Sequence, residues 1–513
     1  MKNGLFAVMA AVMMAAVAMT ASVVAAGPAM AKDRTFRIAT NAEPDVLDPT
    51  KSGSPQSFTT LNNVYEGLTW QNRKGDTIPA LAKSWDILDG GKVLVFHLRH
   101  GVTFQSGDPL TAKDVVWTYN RYKKYARFFV GISRYVKSVE ATDDYTVKFT
   151  FKQPDAEFLP IHPLMIVSKA YYDRVGEAEF EKHPVGTGPY KIVKYAPGQY
   201  LDLKAYDHYW GAKPQIKKAR FYFVQDANTR VAKLRAGEVD LIMDTPYPVV
   251  ASLKKAGFDM AKLPCQPTTS IQFQLKNPKT PWHDLRVRQA IDYAIDKKAI
   301  IKGLLHGVPV HYPRLLPGEV GYDPNLKRYD YNPAKARQLM KEAGYPHGFT
   351  MPFYIQTGIN FGMAETAEAV TLYLKQNLNI RTQSQGMGLA ELIGKIFASG
   401  RNPSARFVAI AGYPIASLPT PLWGIGLAFY GKNPTALYDD PKIDELFGKA
   451  EATFNLAKQA PYIKGIMAHE QHDLYIMTLW DYVAVYAMDK HFTYKPGFRG
   501  LDIVYLPWVH EKG

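Results

Sequence analysis

Residues 92–124 read KVLVFHLRHGVTFQSGDPLTAKDVVWTYNRYKK and change their period halfway. Leu94, Phe96 and Leu98 recur at every second position, the pattern of a half-buried strand. From Thr111 the pattern is helical: a capping residue, Asp114 three positions on, then TAKDVVWTYNRYKK. DYTVKFTF (144–151) returns to period two, with Tyr145, Val147, Phe149 and Phe151 on one face. Such alternation predicts a mixed α/β protein with several sheets, neither a bundle nor a sandwich.

Further along, NTRVAKLRAGEVDLI (228–242) predicts a helix ended by Gly237 and followed by a short apolar strand. DLRVRQAIDYAIDKKAIIKGLL (284–305) carries Val287, Ala290, Ile291, Ala294, Ile295 and Ile301 at helical spacing behind Asp284, so one amphipathic core helix is expected. YNPAKARQLMKEAGYP (331–346) has Asn332 as cap, Pro333 at the first helical position and Gly344 beyond the end. At 513 residues, 47% of them hydrophobic, two to four domains with real cores are expected. No repeat or Ser/Gly linker separates them, which suggests domains that cross over.

Residues 407–431, FVAIAGYPIASLPTPLWGIGLAFYG, hold no Asp, Glu, Lys or Arg in a chain that is 21% charged. Pro414, Pro419 and Pro421 rule out a spanning helix. Buried or half-buried irregular chain is expected there. Lys2, an apolar run from Leu5 to Ala26 and the small-x-small triplet Ala29-Met30-Ala31 mark residues 1–31 as a secretory signal peptide, cleaved near Ala31. A mature protein freely soluble outside the cytoplasm is therefore expected. The single cysteine, Cys265, offers no internal disulfide and no lipid-anchored N-terminus. The net charge of +15 comes from scattered residues, not from a basic stripe interleaved with aromatics, so nucleic acid is not an expected partner.

Catalytic signals are poor. HLRH (97–100) lies on a strand pattern that sends its histidines to opposite faces. HEQH (469–472) lacks the four-residue spacing of a helical zinc protease motif, and an exposed helical face is expected. No G-x-S-x-G, phosphate-loop lysine or paired CxxC occurs. VGTGPY (185–190) leads into a strand, so its glycines are read as a tight turn, not a dinucleotide cradle.

Taken in order, LAKSWDILDGGKVLVFHLRHGVTFQSGDPLTAKDVVWTYNR, VGTGPYKIVKY, LKAYDHYWGAKPQIKKARFYFVQDANTRVAKLRAGEVDLI, DLRVRQAIDYAIDKKAII and NPAKARQLMKEAGYPHGF resemble the family 5 extracellular solute-binding proteins, from about Arg37 to the C-terminus. The resemblance implies a two-lobed, periplasmic-binding-protein-like II (Venus-flytrap) fold with a ligand cleft and an extra subdomain. Lobe I would comprise 32–58, 186–268 and 484–513, the inserted subdomain 59–185 and lobe II 269–483, with two crossing strands as hinge. It further implies a monomer that delivers a small-molecule or peptide-like solute to the membrane permease subunits of an ABC importer. No catalytic residue, cofactor or metal site is assigned.

In peptide-binding members a G-W-x-G-D segment supplies the aspartate that holds the peptide ammonium. The matching residues are Gly412, Tyr413, Pro414, Ile415 and Ala416, so the aspartate position is Ala416, and the position of an upstream carboxylate-binding arginine is Thr357. A zwitterionic dipeptide is therefore not expected. Tyr413 and Trp423 would offer flat surfaces to a ligand, unless the segment is simply core. Asn41, Ala42 and Glu43 match the strand end that lines the cleft, and RFFVGISRY (127–135) a cleft-edge loop. That loop contributes Phe129 and Tyr135, with Arg127 and Arg134 either meeting an anionic group or solvated. An oligopeptide held through its backbone, or a chelated nickel ion, are the alternatives within the family; a secreted hydrolase is the alternative outside it.

Overall fold

The strand Val93–Leu98 buries every second residue, and Leu94, Phe96 and Leu98 are at most 1% exposed. In the computed structural model this strand sits between Ala82–Leu88 and Thr146–Phe151, with Val136–Asp143 completing an antiparallel four-stranded sheet. The helix Ala112–Tyr125 packs on that sheet through Val115, Tyr119 and Tyr122. At its start Asp114 accepts from the Thr111 backbone N–H at 2.9 Å and from the Thr111 hydroxyl at 3.0 Å. Each such buried Leu or Phe contributes about 1.5–3 kcal/mol.

The structure describes residues 34–512 apart from 42, 53–56, 73–75, 126–134, 162–163, 312–314, 327–328, 358–361, 414–420, 434–435 and 498–503. The signal peptide expected at 1–31 lies outside the described residues. Among those described, no helix is long and apolar enough to cross a membrane.

A ten-stranded sheet runs through the molecule in the order Arg381–Met387, Thr350–Gln356, Val408–Tyr413, Asp259–Phe273, Ile476–Met488, Leu241–Ile242, Thr35–Thr40, Lys218–Phe223, Tyr200–Ala205 and Tyr190–Ala196. One core on it gathers Trp282, Ile291, Phe353, Val370, Ile410 and Trp480; another gathers Phe36, Tyr65, Tyr190, Leu201 and Phe221. The two long central strands serve both. Ile271, Phe273, Val483 and Val485 belong to the first core, and Leu263, Ala484, Tyr486 and Met488 to the second. Such a strand is apolar on both faces, and IMTLWDYVAVYAM accordingly has one charged residue, Asp481.

Three local expectations change. The helix expected over 284–305 runs only from Leu285 to Ala294, because Ile295 is extended (ψ 117°) and Asp296 caps a new turn by accepting from the Ala299 N–H. A short π-helical stretch, Ile300–Leu304, follows. Gly186 and Gly188 do more than serve the bend at 187–189: a Cβ on either would lie 2.1 and 2.6 Å from the Val64 carbonyl oxygen, so glycine is needed for close backbone approach.

The uncharged run is also not irregular throughout. It forms the strand Val408–Tyr413 and the helix Pro421–Phe429, with Pro421 at the helix start, where the missing N–H costs nothing. Phe407, Val408, Ala409, Ile410, Leu422, Ile425 and Phe429 are fully buried, which explains the absence of charge there. The helix Pro333–Glu342 is as expected, with Asn332 accepting from the Lys335 N–H at 2.9 Å and Gly344 at φ +85°.

Candidate ligand cleft

The two central strands pair antiparallel from Asp259↔Met488 to Pro264↔Val483, lose register, and resume at Thr268↔Asp481. Val408–Tyr413 runs antiparallel to Asp259–Phe273, and Leu241–Ile242 antiparallel to Ile476–Met488. In the half built around Phe36, the strand Thr35–Thr40 runs parallel to Leu241–Ile242 and Lys218–Phe223; in the other half, Thr350–Gln356 runs parallel to Val408–Tyr413 and Arg381–Met387. The carboxyl ends of the parallel strands in the two halves therefore face each other across the crossing. Ligands of open α/β sheets bind outside such ends.

Asn41 and Glu43 follow the carboxyl end of Thr35–Thr40. Asn41 is exposed. Glu43 is half-buried and accepts from the Gly198 N–H at 2.9 Å and from the Tyr195 hydroxyl. Burial, and then that bond, raises the Tyr195 pKa above the usual phenol range. From the other half come Thr357 and Tyr413, at the ends of adjacent parallel strands. Thr357 is exposed, and the buried Gln356 side chain accepts from the Gly412 N–H at 2.9 Å, holding the second strand end against the first. The backbone of Tyr413 pairs with Thr268; its side chain lies outside the described part, as do Ala42, Arg127, Phe129, Arg134 and Ala416.

Trp423 is half-buried on the helix Pro421–Phe429, one turn before half-buried Leu427 and away from the core-facing Leu422, Ile425 and Phe429. Tyr135 is half-buried just before the strand Val136–Asp143. Its hydroxyl donates to Glu451 at 3.3 Å, where the Gln153 amide also donates and the Ala156 N–H binds the Glu451 carbonyl at 2.8 Å.

Sequence reasoning missed Asp481. The expectation considered acids only within 407–431, whereas this carboxylate arrives from the later strand Ile476–Met488. It is 2% exposed, accepts from the Thr268 hydroxyl at 2.9 Å and donates its backbone N–H to Val310 at 2.7 Å. Its neighbour Tyr482 donates to Asp244 at 2.8 Å. Asp481, Thr268 and the backbone of Tyr413 thus lie side by side on three adjacent strands. One charge in a thirteen-residue apolar strand was the available signal.

The histidines behave differently from each other. His97 Nε2 lies 2.8 Å from Asp86 and His100 stacks on Tyr145 at 4.0 Å, so they share no site. His472 is exposed, but His469 is drawn to Asp440 and Asp473. Among the described residues, these last three form the single set of three with ligand atoms close enough to share a metal ion.

One sheet threaded through two cores, with two crossing strands and opposed strand ends, is the build of a two-lobed binding protein. The chain belongs to the bacterial extracellular solute-binding proteins, family 5, whose middle-region profile matches residues 76–429. It is 36% identical over 324 residues to heme-binding protein A of Haemophilus influenzae and 34% identical over 308 residues to the dipeptide-binding protein of Escherichia coli K12. These matches cover 57% and 54% of this chain, and 58% and 57% of the two relatives, so the chain spans little more than half the length of either. The structure of HbpA2 from Haemophilus parasuis superposes with a TM-score of 0.80 at 24% identity, over 93% of this chain and all of that one.

Proposed function

We propose that this chain is a periplasmic solute-binding protein that closes its two lobes around a small organic solute and delivers it to the permease of an ABC importer. Lobe I comprises 32–58, 186–268 and 484–513, the inserted subdomain 59–185 and lobe II 269–483, with the crossing strands as hinge. The signal peptide is removed near Ala31 and the mature protein acts as a monomer. It returns its ligand chemically unchanged. Moving an open:closed ratio from 99:1 to 1:99 needs about 5.5 kcal/mol of preference for the closed state. A micromolar ligand, worth roughly 8 kcal/mol, supplies that.

The solute is not a zwitterionic dipeptide held in the manner of the peptide-binding relatives. The supporting observation is the crossing itself: residues 407–431 bring no acid, and the carboxylates described around it, Asp481, Asp244 and Glu43, are each bonded within the protein, to Thr268, Tyr482 and Tyr195. Burying an ammonium group without a partner costs several kcal/mol. An aromatic or amphipathic body packed on Trp423 suits the site better.

Native mass spectrometry of the protein purified from its own host identifies the bound solute. Saturation at 100 times the dissociation constant stabilises the fold by about 2.7 kcal/mol, readily seen as a thermal shift. Dipeptides are expected to give none, and Trp423→Ala is expected to weaken capture of the co-purifying solute without changing the unliganded melting temperature. A large dipeptide shift that Asp481→Asn abolishes would make Asp481 the ammonium partner and overturn the ligand reading.

A further inference from the structure

Apart from the cleft, four donor atoms converge where two helices meet. His469 and Asp473 lie one turn apart on the helix Leu456–Asp473, Asp440 is the N-cap of Pro441–Glu451, and Tyr475 follows the first of these helices. His469 Nε2 is 2.8 Å from Asp440 Oδ2 and 3.3 Å from Asp473 Oδ2. The Tyr475 hydroxyl is 2.7 and 3.3 Å from the same two oxygens.

The carboxylates are aimed by their other oxygens. Asp440 Oδ1 accepts from the Lys442 and Ile443 N–H groups at 2.8 and 3.2 Å, which fixes the group as a helix cap and leaves Oδ2 to the cluster. Asp473 Oδ1 lies 2.8 Å from His472 Nδ1, and its backbone carbonyl accepts from the buried Arg288 guanidinium at 2.8 Å. Asp440 is 6% exposed, and the side chains of His469 and Asp473 are 37% and 21% exposed, so the point is reachable from solvent.

Counting hydrogens shows what the arrangement lacks. With a neutral imidazole, only one N–H and one O–H serve four contacts to two carboxylate oxygens, so two contacts have no hydrogen of their own. A tetrahedral ion with bonds of about 2.0–2.1 Å needs ligand atoms roughly 3.3 Å apart. The observed separations of 2.7–3.3 Å need only a small expansion to reach that. A histidine nitrogen with two carboxylate oxygens is also a donor set suited to zinc and related divalent ions.

We propose that Asp440, His469 and Asp473 form a binding site for a zinc-class divalent metal ion, distinct from the solute cleft, with the Tyr475 hydroxyl or a water in the fourth position. The ion would tie the cap of one helix to the end of the next and to the residue preceding the hinge strand Ile476–Met488.

The test is calorimetric titration of zinc chloride into the untagged, chelator-stripped full-length mature protein at neutral pH, with cobalt(II) absorption as a probe of tetrahedral geometry. One saturable equivalent is expected. His469→Gln and Asp473→Asn should each weaken it by at least about tenfold, whereas His183→Ala, at an exposed histidine beside Glu179 at the end of the helix Glu177–Lys182, should not. Melting temperatures measured in chelator confirm that the variants fold. No saturable zinc binding, or binding unchanged in folded His469→Gln, overturns the proposal.

Discussion

Replacing Glu66 by Gln should remove a pH-dependent weakness from the junction between the four-stranded sheet and the Phe36 core. Glu66 is 6% exposed and accepts from the Tyr209 hydroxyl and the Trp210 indole N–H, each at 2.7 Å. Burial pushes its carboxyl up to about 7, although the bonds from Tyr209 and Trp210 and the charge of Arg99 oppose the rise. Between the ordinary value of 4.5 and about 7 the folded chain binds more protons than the unfolded one. Stability therefore falls as pH rises through that window.

Each pH unit is worth about 1.4 kcal/mol, so the accumulated loss over the full window is about 3.5 kcal/mol. Glutamine keeps the shape and cannot ionise, at the cost of about 1 kcal/mol for the second hydrogen bond it no longer accepts well. Urea unfolding followed by tryptophan fluorescence at pH 5, 6, 7 and 8 reads the cooperative unit containing Trp210. Wild type should lose about 2–3 kcal/mol more than Glu66→Gln across that range. Parallel profiles for the two proteins would refute the reasoning.

Two further outcomes follow from packing. Gly188→Ala would place a Cβ 2.6 Å from the Val64 carbonyl, and should cost about 1–3 kcal/mol in denaturant unfolding. Asp48→Ala strips the carboxylate from Arg121, which is buried among Trp117, Tyr125 and Tyr172; a loss of about 3–5 kcal/mol is expected from the same measurement, with little effect if the pair is idle.

Several elements were legible because their causes are local. The strand Val93–Leu98 follows from period two, the helix Ala112–Tyr125 from its cap, and Pro333–Glu342 from Asn332, Pro333 and Gly344. The break at Ile295 was not, since apolar spacing continues through it and only the cap at Asp296 competes. The uncharged run was read as irregular because its prolines weigh against a helix, yet Pro421 stands at the one helical position that tolerates it.

By itself the sequence determined what neighbours two to four residues apart can dictate: the periods, the caps and the order of the segments that mark family 5. Tertiary structure alone decided which strands cross between the cores. It alone set Asp481 beside Thr268 and gathered Asp440, His469, Asp473 and Tyr475 at one point. The physical reason is distance along the chain. Thr268 and Asp481 are 213 residues apart, and Glu66 meets Tyr209 across 143. No local pattern carries such a pairing; it exists only once two cores have formed on a shared sheet and brought the buried polar groups to each other.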